Sequence, residues 1–120
     1  MLSYKRILFL GGSGRFGKVF QKINGNKHYF YPSSKELDIL NFDKITKYFK
    51  KNKPDIVIHA AGKVGGILHN KTYPAEFIFL NSQMALNIIN SSHIYKVKKL
   101  INLGSACIYP KFAKQPIKET

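Results

Sequence analysis

The stretch Lys5-Arg6-Ile7-Leu8-Phe9-Leu10-Gly11-Gly12-Ser13-Gly14-Arg15-Phe16-Gly17 decides how the rest of the chain is read. Ile7 to Leu10 is an apolar run that stops at glycine, the pattern of a buried parallel strand. Gly11, Gly14 and Gly17 follow at a spacing of three. Lys18, Val19, Phe20 and Ile23 then open a helical pattern. Strand, glycine turn and helix together form the context of a phosphate-binding loop. Gly11 permits the tight turn, Gly14 lets backbone approach a pyrophosphate, and Gly17 lets helix and strand pack closely. The N–H groups of the first helical turn then face the phosphates.

Downstream, strands and helices alternate. Asn24-Gly25-Asn26 stops the first helix, and His28 to Tyr31 reads as a second strand ended by Pro32. The end of this strand selects the dinucleotide: an acid suits the NAD ribose, and basic or hydroxyl groups suit a 2′-phosphate. Glu36 is the acid available by count, but it lies well past the strand end, and Lys35 beside it favours NADP. Asp38, in the brief apolar stretch Leu37–Leu40, is placed either to accept from an adenine amino group or to cap the next element. Phe42, Ile45, Tyr48 and Phe49 predict an amphipathic helix with Asn41 as N-cap and Lys50, Lys51 and Lys53 at its exit.

Ile56 to Ala61 reads as a central strand in which His59 is a packed residue rather than a ligand. Gly62 to Gly66 leaves its C-terminal end, where ligands of open α/β sheets lie. Thr72 and Pro74 mark a helix start, and the helix is expected over about 75–93, with Phe77, Leu80, Met84, Ile88 and Ser91 on one face. Asn81 and Asn87 read either as ordinary helix polar residues or as hydrogen-bond partners for neighbouring turns. Lys99 to Leu103 is the fourth main strand, and Ser105 follows at its C-terminal edge. The alternation predicts a doubly wound parallel α/β domain. The expected strand order is 3-2-1-4-5 over five strands.

Composition narrows the classes. The 120 residues make room for one domain with a modest core. The net charge is +14, but the lysines are scattered and arginine occurs only as Arg6 and Arg15. Nucleic-acid surfaces cluster their charge and favour arginine, so the chain does not read as nucleic-acid binding. The positive field instead favours an anionic nucleotide. Cys107 is the single cysteine, which excludes an internal disulfide and a cysteine-built metal site. No stretch is long enough to span a membrane, and the chain reads as cytoplasmic.

Two segments carry a sharper resemblance. One is Ala61-Gly62-Lys63-Val64-Gly65-Gly66-Ile67, continued by Asn70 to Ile78. The other is Leu103-Gly104-Ser105-Ala106-Cys107-Ile108-Tyr109-Pro110-Lys111, continued by Ala113 to Pro116. With the glycine loop and His59-Ala60-Ala61, they make the chain resemble the N-terminal part of the GDP-L-fucose synthase family of extended short-chain dehydrogenases/reductases. The resemblance implies a Rossmann-type NAD(P)-binding domain. It implies an NADP-dependent reaction that epimerises GDP-4-keto-6-deoxy-mannose at C3 and C5 and reduces its C4 ketone. Ser105 sits at the family's catalytic serine, which hydrogen-bonds the reacting carbonyl. Cys107 sits at the family's acid/base cysteine of the epimerisation; by itself it would read as a small buried hydrophobe. The implied cofactor set is Gly11, Gly12, Ser13, Gly14, Arg15, Phe16, Gly17, Ser34, Lys35, Asp38, Ile39, Ala60, Ala61, Leu103 and Gly104.

The sequence also departs from the family. Gly12-Ser13 and Ser34 stand where members often carry basic groups for the 2′-phosphate, leaving Lys35 or Arg15 to substitute. Ala106 replaces a usual second serine. The Tyr-x-x-x-Lys pair expected after the Ser105 strand is missing. Tyr31…Lys35 has proline straight after the tyrosine, and Tyr95…Lys99 precedes the strand it should follow. The expectation is therefore an incomplete cofactor domain over 1–120 without a substrate domain. Such a chain is inactive alone and acts on a GDP-sugar only if a complementing polypeptide supplies the rest. An open sheet edge would favour self-association, including a homodimer. The competing readings are another NAD(P)-dependent sugar-nucleotide epimerase or dehydratase, a non-catalytic dinucleotide-binding remnant, and a basic interaction protein.

Overall fold

The structure, a computed structural model, describes residues 6–25, 27–105 and 108–118. Four parallel strands form one sheet in the order β2-β1-β3-β4. They are β1 (Ile7–Leu10), β2 (Tyr29–Phe30), β3 (Ile56–His59) and β4 (Lys99–Asn102). The helices are α1 (Arg15–Asn24), α2 (Phe42–Asn52), α3 (Ile67–Thr72) and α4 (Pro74–Ile94). Successive strands step to one side of β1 and then to the other, so the doubly wound class is present.

Helices pack on both faces of the sheet. Leu8, Leu10 and Val57 are fully or almost fully buried with Ile45 and Phe49 of α2 and Ile88 of α4. On the opposite face, Phe9 meets Phe20 and Phe16 of α1 at ring-centre distances of 4.6 and 6.0 Å. Asp55 joins three strand entries: its backbone N–H donates to the Arg6 carbonyl, and its carboxylate pairs with Arg6 and Lys98.

Several local expectations need correction. Among the described residues the sheet has four strands, not five. Among the described residues no strand lies beyond β2, and residues 33–40 close into turns: Leu37 N–H donates to the Ser33 carbonyl, and Leu40 N–H to Asp38 Oδ1. β2 is Tyr29–Phe30 rather than His28–Tyr31, since Pro32 has no N–H for a ladder. β3 ends at His59, although Ala60 N–H still donates to the Leu10 carbonyl. Thr72 does not start the long helix. It closes α3, its hydroxyl donating to the Leu68 carbonyl, and Pro74 occupies the first turn of α4.

Asn41 behaves as read: its side-chain oxygen accepts from Lys44 N–H at 3.0 Å. α4 buries Phe77, Met84, Ile88 and Ser91 as its spacing predicts. Among the described residues β4 is one edge of the sheet and β2 the other; Ile101 in β4 and Leu103 just after it are exposed.

Candidate active site

The strand order switches sides between β1 and β3, and a cavity of about 540 Å3 opens at their C-terminal ends. That is where open α/β sheets take ligands. Gly11, Ser13, Gly14, Arg15, Phe16 and Gly17 line one side, with Ala60 and Ala61 alongside and Ser34, Asp38 and Ile39 toward β2. The glycines carry distinct constraints. Gly11 has φ +92°, and a Cβ there would lie 2.6 Å from the Ala60 carbonyl oxygen. At Gly17 a Cβ would lie 2.3 Å from the Gly11 carbonyl oxygen. Helix α1 begins at Gly14 without a side-chain cap, so no side chain competes for the backbone donors of its first turn.

Four of the cofactor candidates do not line this cavity: Leu103 and Gly104 line a second one, and Gly12 and Lys35 line neither. Gly12 is buried, and a Cβ there would strike Tyr31 at 2.9 Å. Lys35 is exposed on the 33–36 turn, outside the lining. That turn is locked by Glu36, whose carboxylate accepts from both the backbone and the hydroxyl of Ser33 at 2.8 Å. Those hydrogen bonds hold the Glu36 carboxyl below its ordinary pKa. Glu36 thus serves Ser33, and the cationic side chains on the cavity wall are Arg15 and Lys63. Asp38 both lines the cavity and closes the turn to Leu40, while its carboxylate lies 3.8 Å from the Lys44 ammonium.

A second cavity, about 990 Å3, lies at the C-terminal ends of β3 and β4. It shares Ala60, Ala61, Gly62, Lys63 and Val64 with the first and adds Leu103, Gly104 and Ser105. Leu103 N–H donates to the His59 carbonyl at 3.0 Å, which carries the β3–β4 pairing up to the Ser105 turn. Cys107 and Ala106 lie outside the described residues.

The sequence reading left Asn81 and Asn87 open; both hold cavity walls. Asn81 accepts from the Lys63 N–H at 2.7 Å and donates to the Lys63 carbonyl at 3.0 Å. Asn87, buried in α4, donates to the carbonyls of Ile39 and Leu40 at 3.0 Å each.

His59 is a packed strand residue, 5% exposed. Its Nδ1 has no hydrogen-bond partner among the described residues, and burial lowers its pKa from 6.5. The folded chain therefore holds it neutral where the unfolded chain takes up a proton. Its contribution is whole above pH 6.5 and is lost as pH falls toward the folded pKa. Melting scans should show Tm falling below pH 6.5, with His59→Phe flattening that limb; an unchanged limb in the variant would assign it elsewhere. The Glu36 contribution is lost only below 4.5, so its loss begins at lower pH than that of His59.

The sequence profile of the NAD dependent epimerase/dehydratase family matches residues 5–120. The chain belongs to that family. Within the epimerase/dehydratase family, GDP-L-fucose synthase 1 of Arabidopsis thaliana is 53% identical over 85 residues, covering 71% of this chain and 26% of that protein. GDP-L-colitose synthase of Yersinia pseudotuberculosis is 44% identical over 108 residues, covering 88% of this chain and 35% of that relative. A GDP-mannoheptose C4 reductase from Campylobacter jejuni, solved with NADP bound, superposes with a TM-score of 0.84 at 33% identity. That match covers 98% of this chain and 38% of the other. The chain thus spans about a third of the length of these relatives. Among the described residues, no helix is long and apolar enough to cross a membrane, and no cluster of His, Cys, Asp and Glu could hold a metal ion.

Proposed function

We propose that this chain is the N-terminal cofactor-binding part of a GDP-L-fucose synthase-like epimerase-reductase that uses NADP, and that it works in the cytoplasm. The observation that carries the reading is the cavity at the β1/β3 crossover, floored by the uncapped start of α1. The related proteins support the substrate class: their names differ in the sugar and share a GDP-linked one.

NADPH, the reduced cofactor, would supply the hydride when bound and leave as NADP+. The backbone donors at the start of α1 and the Gly11–Gly14 turn would hold its pyrophosphate. Arg15 and Ser34 would take the 2′-phosphate, and Lys35 stays outside the lining. Asp38 and Ile39 would flank the adenine. Ala60, Ala61, Leu103 and Gly104 would wall the path toward Ser105. The Ser105 hydroxyl would donate to the C4 carbonyl oxygen of a GDP-4-keto sugar and stabilise negative charge developing there. That polarisation acidifies the C3 and C5 protons, which the Cys107 thiol would exchange. The tyrosine-lysine pair of such an enzyme would come from sequence beyond this chain, in one polypeptide or a complementing one.

Fluorescence titration of the purified chain with NADPH, and with NADH in parallel, tests the reading. The expected result is saturable NADPH binding, weaker for NADH, with the difference shrinking in Arg15→Ala. A folded sample that binds neither nucleotide would overturn it.

A further inference from the structure

Lys63 lines both cavities, and α4 holds it at each end. Asn81 grips its backbone N–H and carbonyl. Glu76, in the first turn of α4, pairs with its ammonium. The ammonium also lies 5.3 Å from the centre of the Phe77 ring. Stability alone does not explain this anchorage. Fixing a lysine side chain costs rotamer freedom. A solvent-exposed ion pair returns little against that cost, and the Glu76 side chain is half exposed. Among the described residues, Lys63 is also the only charged side chain lining the larger cavity.

We propose that Lys63 is a transferable cation for a diphosphate ester. Glu76 holds the ammonium in the ligand-free chain, and the ammonium passes to a phosphate oxygen when the ligand enters. The Asn81 grip keeps the Lys63 backbone at the boundary of the two cavities during the exchange, so only the side chain moves. Glu76 is then a positioning residue that competes with the ligand for the cation. This rests on the nucleotide-binding reading above. The diphosphate belongs either to the dinucleotide or to the nucleotide sugar.

The test titrates NADPH and, separately, GDP-mannose against the wild-type chain, Lys63→Met, Glu76→Gln and the double variant, with circular dichroism confirming the fold of each. The expected result is opposite signs. Lys63→Met weakens binding about fivefold or more, and Glu76→Gln tightens it about twofold or more, because the competing carboxylate is gone. In the Lys63→Met background, Glu76→Gln then has no effect. Changes confined to NADPH assign the dinucleotide as the partner, and changes confined to GDP-mannose assign the nucleotide sugar. Wild-type binding that neither variant alters, or that both weaken equally, overturns the transferable cation and leaves the nucleotide site standing. A folded wild-type chain that binds neither ligand overturns both.

Discussion

Gly17→Ala is expected to lower the Tm by about 8 °C or more and to abolish nucleotide binding at ordinary temperature. The substitution sets two effects against each other. Gly17 lies inside α1, where alanine is the better helix former by about 1 kcal/mol. Against this, the new Cβ would lie 2.3 Å from the Gly11 carbonyl oxygen, 2.5 Å from Gly12 Cα and 2.7 Å from the Gly12 carbonyl carbon. All three atoms are backbone, and none can rotate away. Overpacking costs about 1–3 kcal/mol even where side chains can yield, so this site falls at or above the upper end. A net loss of about 2 kcal/mol or more is a large share of the roughly 5–15 kcal/mol that holds a domain folded. For a domain of 120 residues, each kcal/mol moves Tm by about 4 °C.

Gly14→Ala is the matched comparison. Its φ of −72° suits any residue, and its nearest new contact is 3.3 Å, again to the Gly11 carbonyl oxygen. Its Tm should stay within about 4 °C of wild type, since the nearest atom must give by only a few tenths of an ångström. Any loss of NADPH affinity there reports on the ligand rather than on the fold. Equal melting points for the two variants would contradict the assignment of Gly17 to helix packing and Gly14 to ligand approach.

That contrast also shows what the sequence could disclose. Gly11 and Gly17 were legible because their constraint is local: a strand must turn, and a helix must return against the same loop within a few residues. α2 was legible for the same reason, with Asn41 capping a run whose burial repeats every three or four positions. α3 was not, because Ile67 and Leu68 are 91% and 77% exposed and leave no buried stripe to read. The brief apolar stretch Leu37–Leu40 forms a turn rather than a strand, with Leu37 and Ile39 packed against the core and Leu40 exposed. Lys35 looked cationic and close, but reach depends on the 33–36 turn, which Glu36 locks through Ser33. The cavity-wall roles of Asn81 and Asn87 depend on partners 18 and 47–48 residues away, which no helical periodicity encodes. Local chemistry announced the glycine turn, and long-range hydrogen bonds decided the shape of the cavity around it.

Asn87→Leu is the second substitution expected to have a large effect, through those long-range bonds. Asn87 is 6% exposed, and its amide nitrogen donates to the carbonyls of both Ile39 and Leu40. Its oxygen accepts from Gln83 Nε2 at 2.8 Å, which fixes the amide with its donors toward the 38–40 turn. Leucine fills a similar volume, so the loss is one of hydrogen bonding and not of packing. Two carbonyls then lose their partner, at about 1–3 kcal/mol for each group left buried and unsatisfied. Part of this is recovered where the turn shifts toward water, so a net loss of about 2–4 kcal/mol and a Tm lowered by about 8 °C or more are expected. The same shift moves Ile39 and Asp38, which line the cavity, so NADPH affinity should fall even well below the new Tm. Gln83→Ala removes only the bond that orients the amide and should cost about 1 kcal/mol. Asn87→Asp should be worse than leucine, because a carboxylate would face two carbonyl oxygens with no donor to offer. Thermal melts of the three variants, with hydrogen exchange at the Leu40 and Asn41 amides, check the order. A Tm for Asn87→Leu within a few degrees of wild type would mean that α4 does not hold the far wall of the cavity.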